Sequence, residues 1–211
     1  MISISGIEYQ KELEALPYFN KITAGILIGK QGKNLDKKIS QLTRKQYFLT
    51  LKKGLYVSSA YAGKADKKMY LEYLANILRY PSYLSLEYAL SEYGLIPEGI
   101  LVLTSVTVKS GRAFDNSLGA FSYRSIKPEL FSGFVQKDFA DKKIKIAPPA
   151  KALFDFLYLR KMADMERELK SSLRINWEVL NEGDLKEFAG FVQESRSPKM
   201  KKVLKIIKTI I

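Results

Sequence analysis

A chain of 211 residues, 46% of them hydrophobic, is long enough for two small domains and apolar enough to pack a core, so disorder is not the expectation. Its 35 basic and 22 acidic residues leave a formal charge of +13, which favours an anionic partner, nucleic acid first and then a lipid surface or an acidic protein. Cysteine and histidine are both absent, which removes disulfides, thiolate nucleophiles, imidazole bases and the zinc sites built on those ligands; no catalytic residue, cofactor or metal is expected.

The cationic excess sits at the two ends, with 11 basic and 4 acidic residues up to Lys64 and 16 basic and 10 acidic from Asp141 onward. No basic segment followed by an apolar one opens the sequence, and no uninterrupted apolar run reaches membrane-span length. The expected compartment is therefore the cytoplasm, with no membrane partner. A first helix is predicted from Glu8 to Leu16, with Leu13 and Leu16 on one face and Pro17 discouraging its continuation. Asn20 then reads as the N-cap of a second helix carrying Ile22, Ala24, Ile26, Leu27 and Ile28, which stops in the turn Gly29-Lys30-Gln31-Gly32.

The third helix is the informative one. Asn34 reads as its N-cap, Asp36 falls in the expected first turn, and Leu35, Ile39 and Leu42 recur at helical spacing. The remaining positions include Lys37, Lys38, Gln41, Arg44 and Lys45, with Lys33 in the preceding turn. These side chains carry the flexible donors that reach phosphates and base edges in a major groove. Beyond them Tyr47 to Leu51 reads as a strand, Lys52-Lys53-Gly54 as a turn and Leu55 to Val57 as the returning strand, the glycine supplying a left-handed conformation. A basic helix followed by a hairpin tipped with Lys52 and Lys53 is the layout of a winged helix-turn-helix. The first domain is accordingly placed at residues 1–64 and double-stranded DNA is the expected partner, bound at operator repeats or a palindrome.

Ser58 to Asp66 is small and polar and reads as a linker, opening a second domain over residues 65–211. Helices are predicted from Lys67 to Leu78 and, after Tyr80-Pro81-Ser82, through Leu84, Tyr88 and Leu90 to Gly94. The period then changes. Ile100 to Val108 is β-branched, Gly111 to Ile126 reads as a hairpin centred near Asn116 to Gly119, and Phe131 to Ile146 as another pair. Pro148-Pro149 opens a helix containing Phe154, Phe156, Leu157 and Leu159, and further helices are expected around Met165–Leu173, Asp184–Gln193 and Pro198–Thr209. The predicted class is α+β, an N-terminal winged helix-turn-helix followed by a mixed α+β domain.

Two stretches carry a family resemblance. Tyr80-Pro-Ser-Tyr-Leu-Ser-Leu-Glu-Tyr-Ala-Leu-Ser-Glu-Tyr-Gly-Leu-Ile-Pro97 and Gly111-Arg-Ala-Phe-Asp-Asn-Ser-Leu-Gly-Ala-Phe-Ser-Tyr-Arg-Ser-Ile-Lys127, the latter followed by Leu130-Phe131-Ser132-Gly133, resemble AbiEi-type antitoxins of bacterial abortive-infection systems. The wing ending Lys53-Gly54-Leu55-Tyr56 is similar too, and the likeness runs to about Leu159. The resemblance implies a DNA-binding antitoxin that represses its own operon and counteracts a nucleotidyltransferase-like toxin.

Individual residues in these stretches have simpler readings. Ser82 or Ser85 is expected to cap a helix rather than attack a substrate, and Glu87 to be structural. Arg112, Arg124 and Lys127 either pair with Asp115 and Glu129 or add secondary basic contacts. The C-terminal run Lys199, Lys201, Lys202, Lys205 and Lys208 alternates with aliphatic residues and is expected to dock through its apolar face. Two alternatives stand beside the repressor. Asp141-Lys142-Lys143 with Asp138 raises a metal-dependent nuclease of restriction type, and the N-terminal features alone suit a DNA-binding regulator with no toxin partner.

Overall fold

The computed structural model describes residues 4–211, with side chains from residue 9 onward. The chain is α+β with mixed sheets, and its contacts divide it into two compact units, residues 1–71 with 114–119 and residues 72–113 with 120–211.

The first unit opens with α1 (Ile4–Ala15), which ends before Pro17 as that residue's fixed backbone and missing N–H require. A two-residue strand β1 (Phe19–Asn20) leads into α2 (Lys21–Ile28), and α3 (Gly32–Arg44) follows after a short turn. The hairpin β2 (Phe48–Lys52) and β3 (Leu55–Ser58) completes a three-stranded sheet in the order β1-β3-β2. One core joins these elements: Leu13, Phe19, Ala24, Leu35, Ile39 and Phe48 are buried together, with the Phe19 and Phe48 rings edge to face at 4.8 Å. Burying each such large side chain contributes about 1.5–3 kcal/mol, so the helices are held by their inward stripes rather than by propensity.

The stretch expected to be a linker is in part a helix. Ser58 accepts a hydrogen bond from the Tyr61 N–H and caps α4 (Ser59–Lys64), which ends at Ala65. Small polar residues are ambiguous between cap and loop, and here the cap prevails. The helix α5 (Lys67–Leu78) then begins in the first unit, where Tyr70 donates to the Pro17 carbonyl at 2.7 Å, and continues into the second.

A six-stranded sheet has most of its residues in the second unit. Its strands are β4 (Ser82–Leu84), β5 (Val102–Thr107), β6 (Arg112–Asn116), β7 (Gly119–Ser125), β8 (Val135–Phe139) and β9 (Lys142–Ile146), in the spatial order β6-β7-β5-β4-β9-β8. Strand β5 is antiparallel to β4 and parallel to β7, β9 is parallel to β4, and β8 and β9 form an antiparallel hairpin. Leu84, expected within the helix that follows Tyr80-Pro81-Ser82, thus lies in an inner strand. The helix α6 (Leu86–Glu92) starts only after it, and Thr104 on β5 supplies its cap by accepting from the Tyr88 N–H at 2.9 Å. Asn116 turns the β6–β7 hairpin where expected, its side-chain oxygen accepting from the N–H groups of Leu118 and Gly119.

The helix α7 (Pro149–Leu159) is the centre of this unit, with every residue from Ala150 to Leu157 buried. A short α8 (Met165–Arg167) continues as a π turn, and the chain ends in α9 (Glu182–Ser195) and α10 (Pro198–Ile210). The last helix docks as expected through Met200, Val203 and Ile207, all buried. Lys199 does not join its exposed lysines: its ammonium donates to the carbonyls of Leu157, Tyr158 and Arg160 at the end of α7.

Gly133 stands where only glycine fits. Its φ is +73°, and a Cβ there would lie 2.5 Å from Phe191 Cζ on α9. Gly133→Ala is expected to cost about 1–3 kcal/mol through overpacking and backbone strain, read from the urea unfolding midpoint at unchanged slope.

Candidate nucleic-acid interface

The geometry of α3 is set by the turn before it. Asn20 accepts from the Thr23 N–H at 2.9 Å and starts α2, while Gly29, at φ 68°, ends it. Gly25 lets α3 approach closely, since a Cβ there would sit 3.0 Å from Leu35 Cδ2 and 3.1 Å from the Lys30 carbonyl. The N-cap of α3 is Gln31, not Asn34, and the helix begins at Gly32. Asp36 therefore lies beyond the first turn and pairs with Lys21 of α2 at 2.5 Å. Both partners are exposed, so the pair adds little stability, but it occupies the one carboxylate of α3.

Leu35 and Ile39 are buried and Leu42 is half-buried, which turns the opposite face outward. On that face Lys33, Lys37, Gln41 and Arg44 recur at steps of three and four and are all exposed; Lys45 is exposed at the C-cap and Lys38 is half-buried at the edge. Lys37, Ser40, Gln41, Arg44 and Lys45 line one shallow depression. Asn34 and Ser40 are exposed on this helix as well, and the same spacing that marks Lys33 and Lys37 would have found them.

The hairpin differs in detail from the expected one. Lys52 is still in β2, opposite Leu55, and a register shift between Thr50 and Lys52 leaves Lys53 and Gly54 as the turn, with Gly54 at φ +77°. Lys53 is exposed at the tip, whereas Lys52 is half-buried with its ammonium 5.8 Å from the centre of the Phe114 ring. Asn116 donates to the Leu51 carbonyl at 3.0 Å on the same strand, so part of the hairpin is a packing surface.

The three secondary basic residues separate by role. Arg124 is half-buried and donates to the Leu159 carbonyl, which makes it a cap for α7 beside Lys199. Burial and the neighbouring Arg124 guanidinium hold the Lys199 ammonium below the ordinary lysine value. Arg112 and Lys127 are exposed. On α10 the outward lysines are Lys201, Lys202, Lys205 and Lys208.

The acids named for a nuclease are engaged with their neighbours on the β8–β9 hairpin. Asp141 accepts from Lys142 at 2.5 Å, which holds its carboxyl below the usual range, and Asp138 pairs with Lys143. Among the described residues no three acidic side chains are grouped to hold a metal ion, and no described helix is long and apolar enough to cross a membrane.

Sequence reading also missed a buried polar cluster. Asp155 and Lys151 on α7 are fully buried and paired at 2.8 Å. Tyr83 and Ser85 donate to the other carboxylate oxygen at 2.8 and 2.9 Å, and Lys151 also donates to the Leu130 carbonyl. Ser85 thus occupies the N-cap position of α6 but spends its hydroxyl on Asp155. Burial pushes the Asp155 carboxyl up, opposed by Lys151 and the two hydroxyls, and pushes the Tyr83 hydroxyl well above its ordinary value. Each polar atom of this cluster is satisfied and sealed from solvent, so it serves as a scaffold and leaves no nucleophile facing a cleft. No protein-family model matches the chain, and no curated protein matches its sequence.

Proposed function

We propose that this protein is a DNA-binding repressor of the winged helix-turn-helix type and an AbiEi-like antitoxin that acts on its own operon and counteracts a nucleotidyltransferase-like toxin. The observation that carries the DNA-binding half is the outward face of α3, where Lys33, Lys37, Gln41, Arg44 and Lys45 are exposed and the single acid is tied to Lys21. In this reading α3 enters a major groove, Gln41 and Arg44 reach base edges, the lysines hold phosphates, and Lys53 at the hairpin tip touches the flanking backbone. Lys52, lying over Phe114, holds the hairpin in shape more than it holds DNA. Two copies on a repeated or palindromic site would exclude polymerase.

The antitoxin half rests on the resemblance of the Tyr80–Pro97 and Gly111–Lys127 stretches, and it assigns the second unit to the toxin's neutralisation. Anisotropy of a labelled duplex from upstream of the gene tests the first half. Contact with about five phosphates per protomer predicts a log affinity that falls with log salt at a slope near −4 to −5. Lys53→Ala is expected to reduce that slope by about one for all sequences alike, and Gln41→Ala to change the ranking of operator variants by about 1–3 kcal/mol at one base pair. A flat salt response would remove the phosphate contacts on which the reading depends.

A further inference from the structure

The first unit contains a cavity of about 520 Å³ between α1, α3, the start of β2 and the β3–α4 junction, a volume within the range of small-molecule sites. Its floor is apolar, with Leu13 and Phe48 buried and Leu42 partly so. Its polar groups are unequal. Ser58 is occupied in capping α4 and Ser59 in donating to the Tyr47 carbonyl, while Glu14 accepts the Gln10 side-chain amide. Lys38 and Lys45 also line the cavity, two helical turns apart on α3, and neither forms an ion pair among the described residues. Gln46, at φ +57°, closes α3 with a left-handed turn in which the Tyr47 N–H donates to the Leu42 carbonyl, and this brings the half-exposed Tyr47 to the same cavity.

We propose that this cavity binds a small amphipathic monocarboxylate, with its apolar tail on Leu13, Leu42 and Phe48 and its carboxylate on Lys38 and Lys45. A charge-assisted contact to two ammonium groups fixes the head, and the dry floor takes the tail. Glu14 on the wall disfavours a second negative charge, so dicarboxylates are rejected. The consequence for regulation rests on the DNA-binding reading: Lys38 and Lys45 cannot hold the ligand and DNA phosphates together, so the carboxylate releases the operator.

The test uses the full chain and three probes, hexanoate, octanoate and 3-phenylpropanoate, by titration calorimetry without DNA. At least one is expected to saturate with a Kd on the order of 0.1–1 mM, as ligands of this size allow. The alcohol 3-phenylpropanol should bind about tenfold more weakly than its acid, and glutarate should give no saturation. Ala60→Phe, which adds a ring to the cavity wall, and the surface double variant Lys38→Gln with Lys45→Gln should each weaken the acid about tenfold with unchanged circular dichroism. The site is overturned if no probe saturates, if alcohol and acid bind equally, or if the lysine variant keeps full affinity. With DNA present, a saturating acid should weaken duplex binding about tenfold and reduce the salt slope by about two. Binding of the acid with unchanged duplex affinity overturns the coupling alone. Absence of duplex binding without any acid overturns the DNA-binding reading, and the calorimetry still decides the cavity.

Discussion

Reversing two charges on α3, Lys33→Glu with Lys37→Glu, is expected to lower duplex affinity by about a hundredfold or more at fixed salt and to leave the unfolding midpoint unchanged. Both side chains are exposed and point away from the buried stripe of Leu35 and Ile39, so the helix keeps what holds it. Each lysine or arginine that neutralises a phosphate releases condensed counterions, and its loss removes about one unit of salt slope. A carboxylate in its place adds repulsion from the same phosphate, so the expected slope falls by about two and the affinity by more than a pair of neutral substitutions would cause. A loss of less than about threefold would mean that α3 is not the element facing the backbone.

Removing the ammonium of Lys151 is expected to destabilise the second unit strongly. Lys151→Ala leaves the Asp155 carboxylate fully buried without its counter-charge, for a cost of about 3–5 kcal/mol in urea unfolding. Lys151→Met with Asp155→Asn should recover part of that loss, because the neutral amide still offers an acceptor to Tyr83 and Ser85 while both charges leave the interior. The matching single variants Lys151→Met and Asp155→Asn close the cycle that isolates the coupling of the pair. The deficit of Lys151→Ala should also depend on pH. Burial already raises the Asp155 carboxyl, and loss of the opposing ammonium raises it further. The folded variant then binds this proton more tightly than the unfolded chain does, so its deficit is smallest below about pH 4 and grows as pH rises through the raised folded value. A deficit that is the same across this range would place the cost in lost packing rather than in the stranded charge.

Local signals with a single physical meaning were legible in the sequence. Asn20 as a cap, Gly29 as a left-handed stop, Gly54 in the hairpin and Asn116 in the second turn each did what their chemistry dictates. The stripe of Leu35, Ile39 and Leu42 fixed which side of α3 faces water, and with it the exposure of Lys37, Gln41 and Arg44. Signals with two meanings went the other way. Asn34 is as good a cap as any, but Gly32 accepts a positive φ and α3 begins three residues earlier than a cap at Asn34 implies. Leu84 fits a helical spacing with Tyr88, yet pairing of Tyr83 and Leu84 with Val106 and Ser105 on β5 makes a strand, a tertiary preference that local pattern does not contain.

Long-range partners explain the remaining misses. Arg124 and Lys199 read as spare cations because the carbonyls they serve lie 35 to 42 residues away in sequence. Lys52 read as a wing-tip contact because Phe114 is distant in the chain. Lys151 and Asp155 are one helical turn apart, a spacing equally common for surface pairs, and only the packing of α6, α9 and the sheet around α7 makes them interior.

The attachment of Lys199 and Arg124 to one helix end has a mechanical outcome. If α10 were to peel off, three oxygen atoms at the end of α7 would lose their donor together, in a place where Arg124 already occupies the fourth. α10 and the last turn of α7 therefore come loose as a single cooperative piece, and partial fraying of α10 is arrested at Lys199.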